Sequence, residues 1–200
     1  MREDGDNAAI DVIIEVFLSE IMVAEYGLPR VGDEFKFCLA WTQRAVGLFR
    51  SDTIFRRLSG QVVRPWPTIR AAGGPFTVNQ PDLSTGPVTP AALRIGSALV
   101  YFESSLTLPD RYTLPGPAVD AEPYVSVPRD LPDSVGIVRR VRGVEFEYAR
   151  DAQHYNWTPV AGTECLSDIS RYPDTERAEA SSASKRMFAG ALIDLDVGLG

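Results

Sequence analysis

The sequence predicts a mainly β fold: a single compact barrel-like or sandwich domain with one short helix. Three observations carry this. Period-two hydrophobic segments outnumber helical ones, glycine opens several of them, and the two longest connections are rich in turn formers. "VGDEFKFCLAW" (31–41) sets Phe35, Phe37, Leu39 and Trp41 on one face and Glu34, Lys36, Cys38 and Ala40 on the other. "GVEFEYA" (143–149) alternates Val144, Phe146 and Tyr148 with Glu145 and Glu147. "RIGSALVYFESSLTL" (94–108) is apolar on both faces around Leu99–Phe102, as a central strand would be. "SGQVVRPW" (59–66) and "SVGIVRRV" (134–141) read as shorter strands entered through glycine.

Ile10 to Met22 fits a helical stripe, yet its run "IDVIIEVF" is β-branched and aromatic; a strand to about Leu18 is expected. Segments 71–92 and 109–133 hold most of the prolines and read as loops or edge segments, because proline lacks the donor a central strand needs. The one internal helix is expected at "SDTIFRRL" (51–58), capped by Ser51 or Asp52. The organisation is then a flexible start (1–9), a mainly-β domain (10–173), and a polar flexible linker with a short apolar close (174–200) suited to docking back. "RVGDEFKF" followed by "SGQVVR", and "RIGSALVYF" followed by "SVGIVR", hint at two hairpin-type half-repeats; glycine before a strand is also a common turn pattern.

The 200 residues suffice for one domain with a real core. A net charge of −7 argues against whole-protein attraction to nucleic acid or anionic membrane. The first twenty residues lack a cationic leader, and Asp11, Glu15 and Glu20 interrupt the apolar run, so no signal peptide or membrane span is expected. Two cysteines make neither a disulfide framework nor a zinc set, and a reduced, cytoplasmic setting follows.

Catalytic constellations are scarce. His154 is the only histidine; Cys165, Asp151 and Asp168 are its nearest candidate partners for hydrolase chemistry. The plainer reading makes His154 a strand-end residue and Cys165 a small buried one. Neither a Gly-x-Ser-x-Gly elbow nor a phosphate-cradling glycine motif occurs. Glu145 and Glu147 share a strand face, which suits a carboxylate pair as well as a solvated surface. No cofactor or metal is implied. Arginine gives the strongest pattern. Arg44, Arg50, Arg56, Arg57, Arg64 and Arg70 are opposed only by Asp52, so 44–70 carries +5 against −12 elsewhere, with Phe49, Phe55 and Trp66 interleaved. Basic grooves with aromatic platforms hold single-stranded nucleic acid. Arg139, Arg140 and Arg142 form a second group. Pairing with the chain's surplus carboxylates explains the same arginines without a ligand. The leading expectation is a non-catalytic binding module for an unknown protein partner, with nucleic acid as the alternative.

"GLPRVGDEFKFCLAW", "VGIVRRVRGVEFEYA" and "WTPVAGTECLSDISRYP" together resemble a family of small actinobacterial proteins defined only as a domain of unknown function. The likeness spans about residues 10–173. Tyr172 stands where that family has a cysteine before the closing proline, and the cysteines after its first strand are missing, which puts any shared cysteine or metal role in doubt. The resemblance implies no activity. It does imply that 151–173 is the closing strand and turn of a β domain, with Tyr155 and Trp157 capping the core and Gly162 making the turn.

Overall fold

The computed structural model describes residues 12–41, 55–63, 69–70, 87–104, 106–120, 127–128, 130–150, 157–172 and 184–198. The fold is mainly β. Its first strand, β1 (Ile13–Ser19), runs straight into α1 (Glu20–Tyr26), the one helix among the described residues. Ser19 ends the strand and caps the helix: its Oγ accepts the Met22 N–H at 3.4 Å. Gly27, at φ 86°, closes the helix with its N–H on the Val23 carbonyl. Seven residues are too few to hold a helix alone. Met22 and Val23, buried in the main core, hold it, at about 2 kcal/mol each.

The strands that follow are β2 (Glu34–Phe37), β3 (Leu39–Ala40), β4 (Leu58–Val63), β5 (Ile69–Arg70), β6 (Pro87–Ile95), β7 (Ala98–Ser104), β8 (Arg111–Leu114), β9 (Ala118–Asp120), β10 (Ser134–Arg150), β11 (Trp157–Pro159), β12 (Cys165–Asp168) and β13 (Ser184–Asp196). They form one sheet in the order β11-β10-β13-β1-β9-β3-β7-β6-β4-β8, with β2 and β12 also on β10 and β5 on β6. The sheet is not closed, so the architecture is sandwich-like and not a barrel. Distant strands nevertheless share one core. Leu58, Val62, Leu93 and Ile95 from β4 and β6 lie in the same cluster as Ile14, Val16, Val138 and Ile193 from β1, β10 and β13. The sheet therefore curls around them. Ser97 and Ser134 tie the curl: Ser97 N–H reaches the Val197 carbonyl at 2.9 Å, and Ser134 Oγ accepts the Leu99 N–H at 3.0 Å. A second cluster, with Phe17, Phe55, Tyr101, Val144, Phe146 and Leu192, takes side chains of the opposite phase.

Several expectations change. The run 31–41 keeps its apolar face but breaks at Cys38, β2 pairing with β10 and β3 lying between β7 and β9. Residues 55–57 are not helical and Leu58 opens β4; 51–54 lie outside the described residues. The proline-rich segments contain strands: β6 begins inside 71–92, and β8 and β9 lie inside 109–133. Pro90 is tolerated because it falls between the stretches of β6 that pair with β4 and with β5. The two echoing motifs are not two hairpins, since β2 pairs with β10 while β4 pairs with β6 and β8. The apolar close of the chain, set outside the 10–173 domain, is β13, an interior strand between β1 and β10. Finally, β11 and β12 both lie along β10 with Gly162 (φ 84°) in the turn between them, but the strand that closes the chain is β13 and not this segment.

Candidate binding surfaces

Arg142 on β10, Asp194 on β13 and Glu15 on β1 meet on the face of the second cluster, each 8% exposed or less. One guanidinium nitrogen, Nη2, donates to Glu15 Oε1 at 2.8 Å and to Asp194 Oδ1. The other Glu15 oxygen accepts the Arg56 N–H at 2.6 Å. Arg142 Nε is buried with no hydrogen-bond partner among the described residues. Two carboxylates against one cation, shut away from water, form a structural cluster and leave no open position for a substrate. It also pins 55–57 to the sheet, next to Phe55 in the second core cluster.

Of the expected arginine segment, Arg44, Arg50, Arg64, Trp66 and Phe49 lie outside the described residues, and Arg70 is described only through its strand pairing with Pro87. Arg56 and Arg57 are exposed. Phe55, expected as an exposed stacking platform, is 7% exposed. In the second arginine group every member meets a carboxylate. Arg139 Nε donates to Asp196 at 3.0 Å, Arg140 grips Asp168 with two bonds of 2.7 and 3.1 Å, and Arg142 is the buried member. Hydrogen bonds from Arg140 and Arg139 hold the Asp168 and Asp196 carboxyls below the ordinary aspartate range. These three are spent on carboxylates, as an acidic protein would spend them.

Two further arginines, legible only once the register is known, behave differently. Gln61 on β4 stands opposite Arg94 on β6 and Arg111 on β8. Ser59, two residues earlier, stands opposite Thr113, their hydroxyls 2.8 Å apart. All five are exposed, while Leu58, Val62, Leu93 and Leu114 of the opposite phase are buried.

A different surface forms around α1. Val23, Ala24, Gly27, Leu28, Arg30, Ser170, Arg171 and Tyr172 line an open depression of about 560 Å³. A neighbouring one of about 200 Å³ shares Gly27 and Leu28 and is walled by Met22, Tyr26, Phe35 and Phe37, with Asp33 and Glu34 at its rim. Gly27, at which a Cβ would meet nothing within 4 Å, lines both depressions. Ile21, Tyr26 and Val31 are each more than half exposed. Arg30 and Arg171 are exposed, with no carboxylate partner among the described residues. Asp33 accepts the Arg30 backbone N–H at 2.8 Å. Tyr172 is fixed by its hydroxyl on Glu20 (3.1 Å) and by its ring edge-on to Phe188; burial and that carboxylate push its ionisation up. Sequence reading missed this surface because its parts come from 21–31 and 170–172, and because the segment as far as Met22 carried competing helix and strand signals.

Of the hydrolase candidates only Cys165 and Asp168 fall among the described residues. His154, Asp151 and Tyr155 lie outside the described residues, Cys165 is exposed where a buried thiol was expected, and Asp168 is held by Arg140. Glu147 is bridged to Arg186 at 3.3 Å. Trp157, expected to cap the core, is half-buried beneath the Lys185 ammonium, 4.5 Å from its ring. Among the described residues no three His, Cys, Asp or Glu side chains gather to hold a metal ion, and no helix is long and apolar enough to cross a membrane. No family model, curated protein or solved structure matches the chain.

Proposed function

We propose that the chain is a non-catalytic binding module, and that a protein partner seats on the surface made by α1, residues 27–31 and residues 170–172. The supporting observation is that exposed Ile21, Tyr26 and Val31 lie in the segment lining two depressions that share Gly27 and Leu28, together with Arg30 and Arg171, which have no carboxylate partner among the described residues. Aromatic residues and arginine carry most interface energy when water is excluded around them. The partner segment that fits presents an apolar side chain to the Tyr26–Phe37 depression and carboxylates to Arg30 and Arg171. The reading needs no cofactor, and the resemblance to the actinobacterial family, which brings no activity, is compatible with it.

Selection of random dodecapeptides on the immobilised protein tests it. Peptides pairing Asp or Glu with a large apolar residue are expected. Their affinity should fall at least tenfold against Arg30→Glu/Arg171→Glu and against Tyr26→Ala. Enriched peptides that bind all three proteins equally would place the partner elsewhere. The nucleic-acid reading of 44–70 retains Arg56 and Arg57, both exposed, and loses the Phe55 platform.

A further inference from the structure

We infer that the outer face of β8, β4 and β6 is a second contact surface, distinct from the one at α1, and that it takes the phosphate backbone of nucleic acid. Cross-strand partners share a face, as do residues two apart along a strand. Register therefore gathers Ser59, Gln61, Arg94, Arg111 and Thr113 on one side of three neighbouring strands. Arg57, one residue before β4, is also exposed. Arg57, Arg94 and Arg111 have no carboxylate partner among the described residues. Asp110, the exposed residue before β8, gives its backbone carbonyl to the Val62 N–H at 2.8 Å. Glu103 stands opposite Pro90, four residues along β6 from Arg94, and accepts the Tyr101 hydroxyl at 2.9 Å.

The chemistry of the face selects its occupant. Its exposed groups are guanidinium, amide and hydroxyl, the donors that contact phosphate and sugar. Among the residues whose burial is described, none of the large exposed apolar ones (Ile21, Tyr26, Val31, Leu106, Val135, Val160) lies on these three strands. A protein interface would need such an anchor. A polyanion needs only unneutralised arginines, and in a chain of net charge −7 this face holds three with no carboxylate partner among the described residues. Gln61 spaces Arg94 from Arg111 by two strand separations, about 10 Å, so the two engage separate phosphates.

The test is fluorescence anisotropy with labelled single-stranded DNA, single-stranded RNA, duplex DNA and a polyglutamate peptide, at 50 and 200 mM salt. The expected result is nucleic-acid binding that weakens about 20-fold between the two salts for a single strand, the loss three phosphate contacts produce. Arg94→Gln/Arg111→Gln should lose at least tenfold in affinity, with a thermal transition like that of the wild type because both side chains are exposed. Tyr26→Ala should bind nucleic acid normally, which separates this surface from the one at α1. Absence of binding at 50 mM salt, retention of binding by the folded double variant, or equal binding of polyglutamate would each overturn the inference.

Discussion

Arg142 holds together side chains that are 127 and 52 residues away in the chain. Replacing it by Met leaves Glu15 and Asp194 buried without a cation and should cost about 3–5 kcal/mol in denaturant unfolding. Glu15→Gln should cost less, because an amide oxygen still accepts the Arg56 N–H. An Arg142→Met protein as stable as the wild type would show that the cluster carries no such load. In the sequence this residue looked like one more member of a basic "RRVR" run; partners so distant leave no local trace. The titrating residues give a second prediction. Asp168 and Asp196 have folded values below the ordinary 3.8, so the native state binds fewer protons than the unfolded chain near that pH. Their contribution is complete above the ordinary value and is lost as pH falls through the lowered ones. Tyr101, Tyr148 and Tyr172 are raised, chiefly by burial, so the neutral phenols favour the fold below pH about 10 and that support fades as pH rises further. Tyrosinate absorbance should therefore show a late-ionising fraction that shrinks in Tyr101→Phe; simple titration at the ordinary value would contradict it.

Among the elements, β13 shows what patterning reads and what it misses. Its side chains are buried on both sides of the strand, Ala191, Ile193 and Leu195 in one cluster and Leu192 in the other. Period-two alternation therefore vanishes. Asp194 within the run further disguised it as a tail. By contrast, β2 buries one face and was legible, as were β1, from its β-branched and aromatic run although both its faces are buried, and the central character of β7, whose residues 100–102 are all buried. The switch at Cys38 was not legible, because a change of partner leaves the alternation intact. Two predictions belong here. Ending the chain at residue 183 removes the strand joining β1 to β10 and should abolish the cooperative transition; a sharp transition in the truncated protein would contradict this topology. Gly190 sits at φ 153°, where a Cβ would lie 2.1 Å from the Leu18 carbonyl oxygen and 2.9 Å from the Phe17 ring. Gly190→Ala should therefore cost more than about 2 kcal/mol, read by the same unfolding curves.

Taken whole, the molecule uses its charges in two ways. Around β10 and β13 the arginines are matched to carboxylates. On the β4–β6–β8 face and beside α1 they meet no carboxylate among the described residues, although the chain is acidic. Composition pointed to arginine as the feature to follow; only the register and the meeting of 21–31 with 170–172 show which of the described arginines lack a carboxylate among the described residues. The most direct measurement is hydrogen–deuterium exchange of the protein with and without a peptide taken from the dodecapeptide selection. The account predicts slowed exchange confined to residues 20–31 and 169–172, with β4, β6 and β8 unchanged. Protection elsewhere, with α1 exchanging as in the free protein, would contradict the assignment of the partner surface.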